Sequence, residues 1–94
     1  MQAVHWQERG LQIDLIIDRR DNSMNLCEIK YYNQELIFSP EESKKLLFRR
    51  EQFRKKSKTR KTLFNTLISI YGAKKNQSFL AAFDNEITVE DFFI

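Results

Sequence analysis

The stretch LQIDLIIDRRDNSMNLCEIKY, Leu11 to Tyr31, decides the fold. Leu11–Asp18 and Met24–Tyr31 are short runs rich in Ile and Leu, and the polar, turn-forming run Arg19-Arg20-Asp21-Asn22-Ser23 lies between them. Two such runs about a polar turn read as a β-hairpin. With the turn centred on Asp21, Asp14 faces Glu28 and Gln12 faces Lys30. Side chains alternate along a strand, so Gln12, Asp14, Ile16 and Asp18 share one face with Met24, Leu26, Glu28 and Lys30. The reverse face then holds Leu11, Ile13, Leu15 and Ile17 against Asn25, Cys27, Ile29 and Tyr31, and it is nearly all apolar.

Working outward, Ala3–Gln7 carries Val4 and Trp6 in alternation and suits a short strand, with Glu8-Arg9-Gly10 as the turn into the hairpin. Downstream, Ser39-Pro40-Glu41-Glu42 is a helix start. Ser39 can cap, Pro40 fits the first helical position, and Ser39 with Glu42 has the capping-box spacing. The helix extends to about Ser57, with Leu46, Leu47, Phe53 and the stem of Arg50 facing inward. Thr62–Tyr71 returns to strand, Gly72–Ser78 turns, and Phe79–Ile87 reads as a last strand. Thr88 starts a final helical turn that ends in Phe92-Phe93-Ile94, an apolar packing plug. The expected order is β-β-β-α-β-β, an α/β (α+β) domain with a central mixed sheet. The helical crossover makes the third and fourth strands parallel neighbours. One helix covers one sheet face, yet both faces carry aliphatics. The uncovered area calls for a second copy of the chain, a strand-edge pairing or a parent domain, and a homodimer is the expectation for the isolated chain.

Ninety-four residues, with 41% hydrophobic and 31% charged, suit one small folded domain spanning residues 1–94. No apolar run is long enough to span a bilayer, and the N-terminus lacks the layout of a signal peptide. Cys27 is the single cysteine, so no internal disulfide forms; a buried thiol in a reducing, cytoplasmic setting is the expectation. The formal charge of +3 is unevenly placed. Lys44, Lys45, Arg49, Arg50, Arg54, Lys55, Lys56, Lys58, Arg60 and Lys61 lie in one segment whose only acid is Glu51. This cluster reads either as a solvated helix face or as a surface for DNA or an acidic partner.

Two carboxylates opposed across a strand pair repel each other unless a positive group lies between them. Asp14 and Glu28 therefore suit a divalent ion, Mg²⁺ or Mn²⁺, and Lys30 projects to the same side, where it can polarise a water. The alternative is a polar sheet end with an ordinary Glu–Lys pair. His5, beside Trp6 on an edge strand, Glu35 in a loop and Gln52 on the helix are weaker candidates, and no His–Cys cluster supports zinc.

Gly10-Leu-Gln-Ile-Asp14 followed by Cys27-Glu28-Ile-Lys30 resembles the G-x-x-[IVL]-D…E-[IVL]-K signature of PD-(D/E)XK nuclease-like domains. MNLCEIKYYNQELIF (24–38), KTRKTLFNTLISIYGAKKNQ (58–77) and EITVEDFF (86–93) extend that likeness over most of the chain. They resemble the C-terminal domain of prokaryotic P-loop (AAA-type) ATPases of the archaeal and bacterial DEXX-box group. The sequence itself holds no G-x-x-x-x-G-K-[ST]. The resemblance implies a restriction-endonuclease-like fold without the usual N-terminal helix. It implies Asp14 and Glu28 as metal ligands, the Ile29 carbonyl as a further ligand, and Lys30 as the catalytic lysine. DNA, Mg²⁺ or Mn²⁺, and an ATPase partner or parent domain are the partners it implies. The function expected is a nuclease-like DNA-binding domain, active in metal-dependent phosphodiester hydrolysis or degenerate. The alternative is a non-catalytic docking module derived from such an ATPase.

Overall fold

The computed structural model describes residues 2–8 and 11–89. Five strands form one sheet: β1 (Gln2–Glu8), β2 (Leu11–Asp18), β3 (Ser23–Lys30), β4 (Thr62–Ser69) and β5 (Asn85–Thr88). Two helices, α1 (Pro40–Ser57) and α2 (Gln77–Ala82), connect the last three. The strands lie side by side in chain order, and β1, β2 and β3 are antiparallel in turn. β3, β4 and β5 are parallel, each step bridged by a helix. The mixed sheet and the crossover between the third and fourth strands match expectation. The order is β-β-β-α-β-α-β, however, because Gln77–Ala82 is helical where a strand was expected from Phe79. Asn76 is the reason: its side chain accepts from the Phe79 N–H at 2.8 Å and caps the turn. Phe79, Ala82 and Phe83 then recur at helical spacing on one buried side.

α1 has the bounds its start signals imply. Ser39 and Glu42 form a reciprocal capping box, and Pro40 opens the first turn. Its buried residues are Ser43, Leu46, Arg49 and Phe53. Leu47 and Arg50 are half-buried, so the inward stripe includes Arg49 instead. Leu46 packs with Phe38, Leu67, Phe79, Ala82 and Phe83, which places both helices over the same sheet face. Phe53 packs with Ile13, Ile16, Leu26 and Leu63, and Trp6 meets its ring edge-on at 5.5 Å.

The hairpin ladder pairs Leu15 with Cys27, Ile16 with Leu26, Ile17 with Asn25 and Asp18 with Met24, the register expected. It stops short of Asp14 and Glu28. Against β1 the register shifts: Val4 opposes Ile16, but Trp6 opposes Ile13. One residue of β1, His5, thus lies against two of β2, Asp14 and Leu15, a bulge in β2 that breaks strict alternation. Ile13 therefore enters the same core as Ile16, rather than the reverse face where alternation puts it. Tyr31 lies beyond β3 and is exposed. No described helix covers the reverse face. There Cys27, Thr66 and Ile68 are buried, while Leu15, Ile17, Ile29 and Phe64 are half-buried. Gly10 and Phe92-Phe93-Ile94 lie outside the described residues.

Candidate functional site

A cleft of about 610 Å³ opens between the sheet and the N-terminal half of α1. Asp14, Glu28, Ile29 and Lys30 line it from the hairpin, and Glu42, Lys45, Leu46 and Arg49 line it from the helix. Its size falls in the range of small-ligand clefts. The structure thus gathers the three residues singled out in sequence, Asp14, Glu28 and Lys30, around one space. A second hollow of about 310 Å³ shares Lys30, Phe38 and Glu42 with it and is also lined by Tyr32 and Glu35. The Lys30 ammonium lies 5.7 Å from the centre of the Tyr32 ring, within cation–π reach.

The carboxylates do not face each other bare. At the bulge, Asp14 Oδ2 accepts the Ile29 backbone N–H at 2.9 Å, replacing a ladder bond with a side-chain bond. Asp14 Oδ1 accepts from Gln12 Nε2 at 3.1 Å. Glu28 Oε1 accepts from Arg49 Nη1 at 2.8 Å, and the same nitrogen donates to the Gln12 carbonyl at 3.0 Å. Glu28 Oε2 lies 3.8 Å from Lys30 Nζ. The Arg49 side chain is only 7% exposed and that of Glu28 20%, so this pair is largely withdrawn from water. Arg49 Nε and Nη2 are buried without an acceptor.

A guanidinium therefore supplies the positive group at Glu28, while Asp14 is held by two neutral donors. Asp14, Glu28 and the Ile29 carbonyl were expected to hold Mg²⁺ or Mn²⁺; as placed, they do not fit such an ion. Both Asp14 oxygens already accept hydrogen bonds, Glu28 is paired, and a divalent cation here would meet Arg49 and Lys30 as like charges. Among the described residues, no group of three or more His, Cys, Asp and Glu is gathered at one point. The sequence does not pair Arg49 with Glu28, since that partner lies on a distant strand. Its placement three residues after Leu46 and four before Phe53, on the helix's inward stripe, is the one clue.

The basic segment divides in two. Arg49 is buried. Arg50 pairs with Asp84 at 3.2 Å, Arg54 donates to the Thr59 and Lys61 carbonyls at 3.2 Å, and Lys61 pairs with Asp18. These four, expected on a DNA surface, are engaged within the domain. Lys44, Lys45, Lys55, Lys58 and Arg60 are exposed; Lys56 is exposed too but has an interaction of its own. Phe48, also exposed at 56%, sits between Lys44 and Lys55 on the outer side of α1. His5 is exposed on edge strand β1, and Gln52 does not line the cleft. Cys27 is fully buried, and burial pushes its thiol up to about 11 despite the nearby Arg49 charge. No family model, curated protein or solved structure matches the chain.

Proposed function

We propose that this chain is a nucleic-acid-binding domain of nuclease-like type that holds the phosphate backbone along α1 and at the mouth of the cleft. One observation carries the reading. The cleft that contains Asp14, Glu28 and Lys30 is walled by α1, and the same helix directs Lys44, Lys45 and Lys55 outward. Lys45 belongs to both surfaces. Exposed lysines attract phosphates without reading sequence, because their ammonium groups act as point charges. Phe48 adds an aromatic face among them, a composition suited to nucleic acid. Binding is the extent of the proposal. Hydrolysis would require an ion that the present partners of Asp14 and Glu28 do not fit.

Fluorescence anisotropy with a labelled DNA duplex tests the reading. Binding should weaken steeply as salt rises, and the combined variant Lys44→Ala, Lys45→Ala, Lys55→Ala and Lys58→Ala should bind more weakly with a flatter salt dependence. Wild-type protein that leaves the anisotropy unchanged at low salt rules the proposal out.

A second reading, a protein-docking module, is favoured by a separate feature. Leu15, Ile17, Ile29 and Phe64 form a half-buried apolar area on the sheet face that no described helix covers. Such an area suits a second copy of the chain or a parent ATPase domain. Light scattering over a range of concentrations separates a dimer from a monomer.

A further inference from the structure

We propose that Arg49 is the resident cation of the Asp14–Glu28 cleft and that it keeps divalent metal ions out of the native chain. Each carboxylate oxygen an incoming ion would use has a prior engagement or a positive neighbour. Asp14 Oδ2 is held by the Ile29 N–H and Oδ1 by Gln12. Glu28 Oε1 is held by Arg49, which leaves Oε2, itself 3.8 Å from Lys30. An ion at Oε2 would sit between two cations in a partly dry cleft, where charge repulsion is screened far less than in water.

Arg49 cannot easily leave. Its neighbours on the helix's inward stripe, Leu46 and Phe53, are packed in the two core clusters, so the helix holds the arginine over the sheet. Gln12 gives it a second acceptor, a backbone carbonyl beside the β2 bulge. Arg49 Nε and Nη2 are also buried without acceptors, so the guanidinium has donor capacity to spare. That capacity suits oxygen anions and repels metals. Glu28 is thus neutralised by the protein itself, and Asp14 has its own donors. Joined to the reading above, on which this last step rests, the domain holds nucleic acid without hydrolysing it.

The test is a titration of Mn²⁺ into ¹⁵N-labelled protein, following paramagnetic broadening of the Asp14, Glu28, Ile29 and Lys30 amides. Wild-type protein should show no selective loss of these signals at millimolar Mn²⁺. Arg49→Met should lose them at roughly tenfold lower concentration or below, and excess Mg²⁺ should restore them. Adding Glu28→Gln to Arg49→Met should abolish the gain. Selective broadening in wild-type protein at the concentration that affects Arg49→Met overturns the proposal. So does a folded Arg49→Met, verified by circular dichroism, that gains no affinity. Should Arg49→Met not fold, the wild-type titration alone decides, since site-selective broadening there contradicts the proposal and its lack supports it. DNA anisotropy in EDTA and in Mg²⁺ is a separate readout. A failure to bind DNA removes the nucleic-acid reading and leaves the metal exclusion standing.

Discussion

Arg49 on α1 donates to Glu28 on β3 at 2.8 Å across the floor of the cleft and ties that helix to the sheet. Removing one partner of a largely buried pair leaves the other charge dry and unmatched, a loss of about 3 kcal/mol. Glu28→Ala should therefore lower the melting temperature by roughly 15 °C in a domain of this size. Glu28→Met combined with Arg49→Met should recover most of that loss, because an apolar pair of similar volume replaces two costly charges. Thermal unfolding of both variants beside the wild type checks this; a double variant no more stable than Glu28→Ala would show that the charges themselves hold α1 in place.

Asp14 supplies a structural acceptor at the bulge. Asp14→Asn retains an oxygen for the Ile29 N–H and should cost little stability. Asp14→Ala leaves that N–H without its acceptor and should cost about 1–2 kcal/mol. Denaturant unfolding distinguishes the two, and equal losses would mean that the carboxylate charge, rather than the hydrogen bond, matters.

Much of this arrangement could be read from the residues. The hairpin register, the capped start of α1 and the parallel β3–β4 pair follow from alternation, Ser39-Pro40 and the helical crossover. α2 was hidden because six residues are too few for a helical period to declare itself, and Phe79-Leu80-Ala81-Ala82-Phe83 suits a strand equally well. The β2 bulge was hidden for a different reason. LQIDLIID is apolar at Leu11, Ile13, Leu15 and Ile17 and otherwise polar except at Ile16, a pattern that reads as plain alternation and does not signal the shift that sends Ile13 and Ile16 to one core. That Glu28 and Lys30 share one side was legible from parity along β3, whereas Asp14 reaches the same cleft from the bulge, where parity fails. The counter-ion was not legible, because Arg49 finds Glu28 only after the chain has folded.

Cys27 gives a prediction with a defined pH window. Burial in the folded chain raises its thiol from 9.0 to about 11, so folding disfavours the thiolate. The unfolded chain releases this proton first as pH rises. The stabilisation is fully present below pH 9.0, and it is lost as pH climbs from there to about 11. Cys27→Ala should remove this part of the alkaline loss. Reaction of the native thiol with a disulfide reagent at neutral pH should be slow and should accelerate on unfolding; equal rates in native and denatured protein would contradict burial.

Arg54 and Lys61 should behave differently from Lys55 and Lys58, although all four lie in the basic segment. Arg54 holds the Thr59 and Lys61 carbonyls, and Lys61 pairs with Asp18. Arg54→Ala should cost about 1–2 kcal/mol of stability, whereas Lys58→Ala should leave stability within about 0.5 kcal/mol. A DNA-binding loss in Arg54→Ala larger than in Lys55→Ala, at unchanged stability, would place Arg54 on the binding surface after all.

The most direct test maps where nucleic acid touches the domain. Amide chemical shifts of ¹⁵N-labelled protein are recorded as a short DNA duplex is added at low salt. The predicted shifts are contiguous, from Gln12 and Asp14 through Glu28–Lys30 to Lys44, Lys45, Phe48 and Lys55, and they should fade as salt is raised. Shifts confined to Leu15, Ile17 and Phe64 on the opposite sheet face, or none at any salt, would contradict the account.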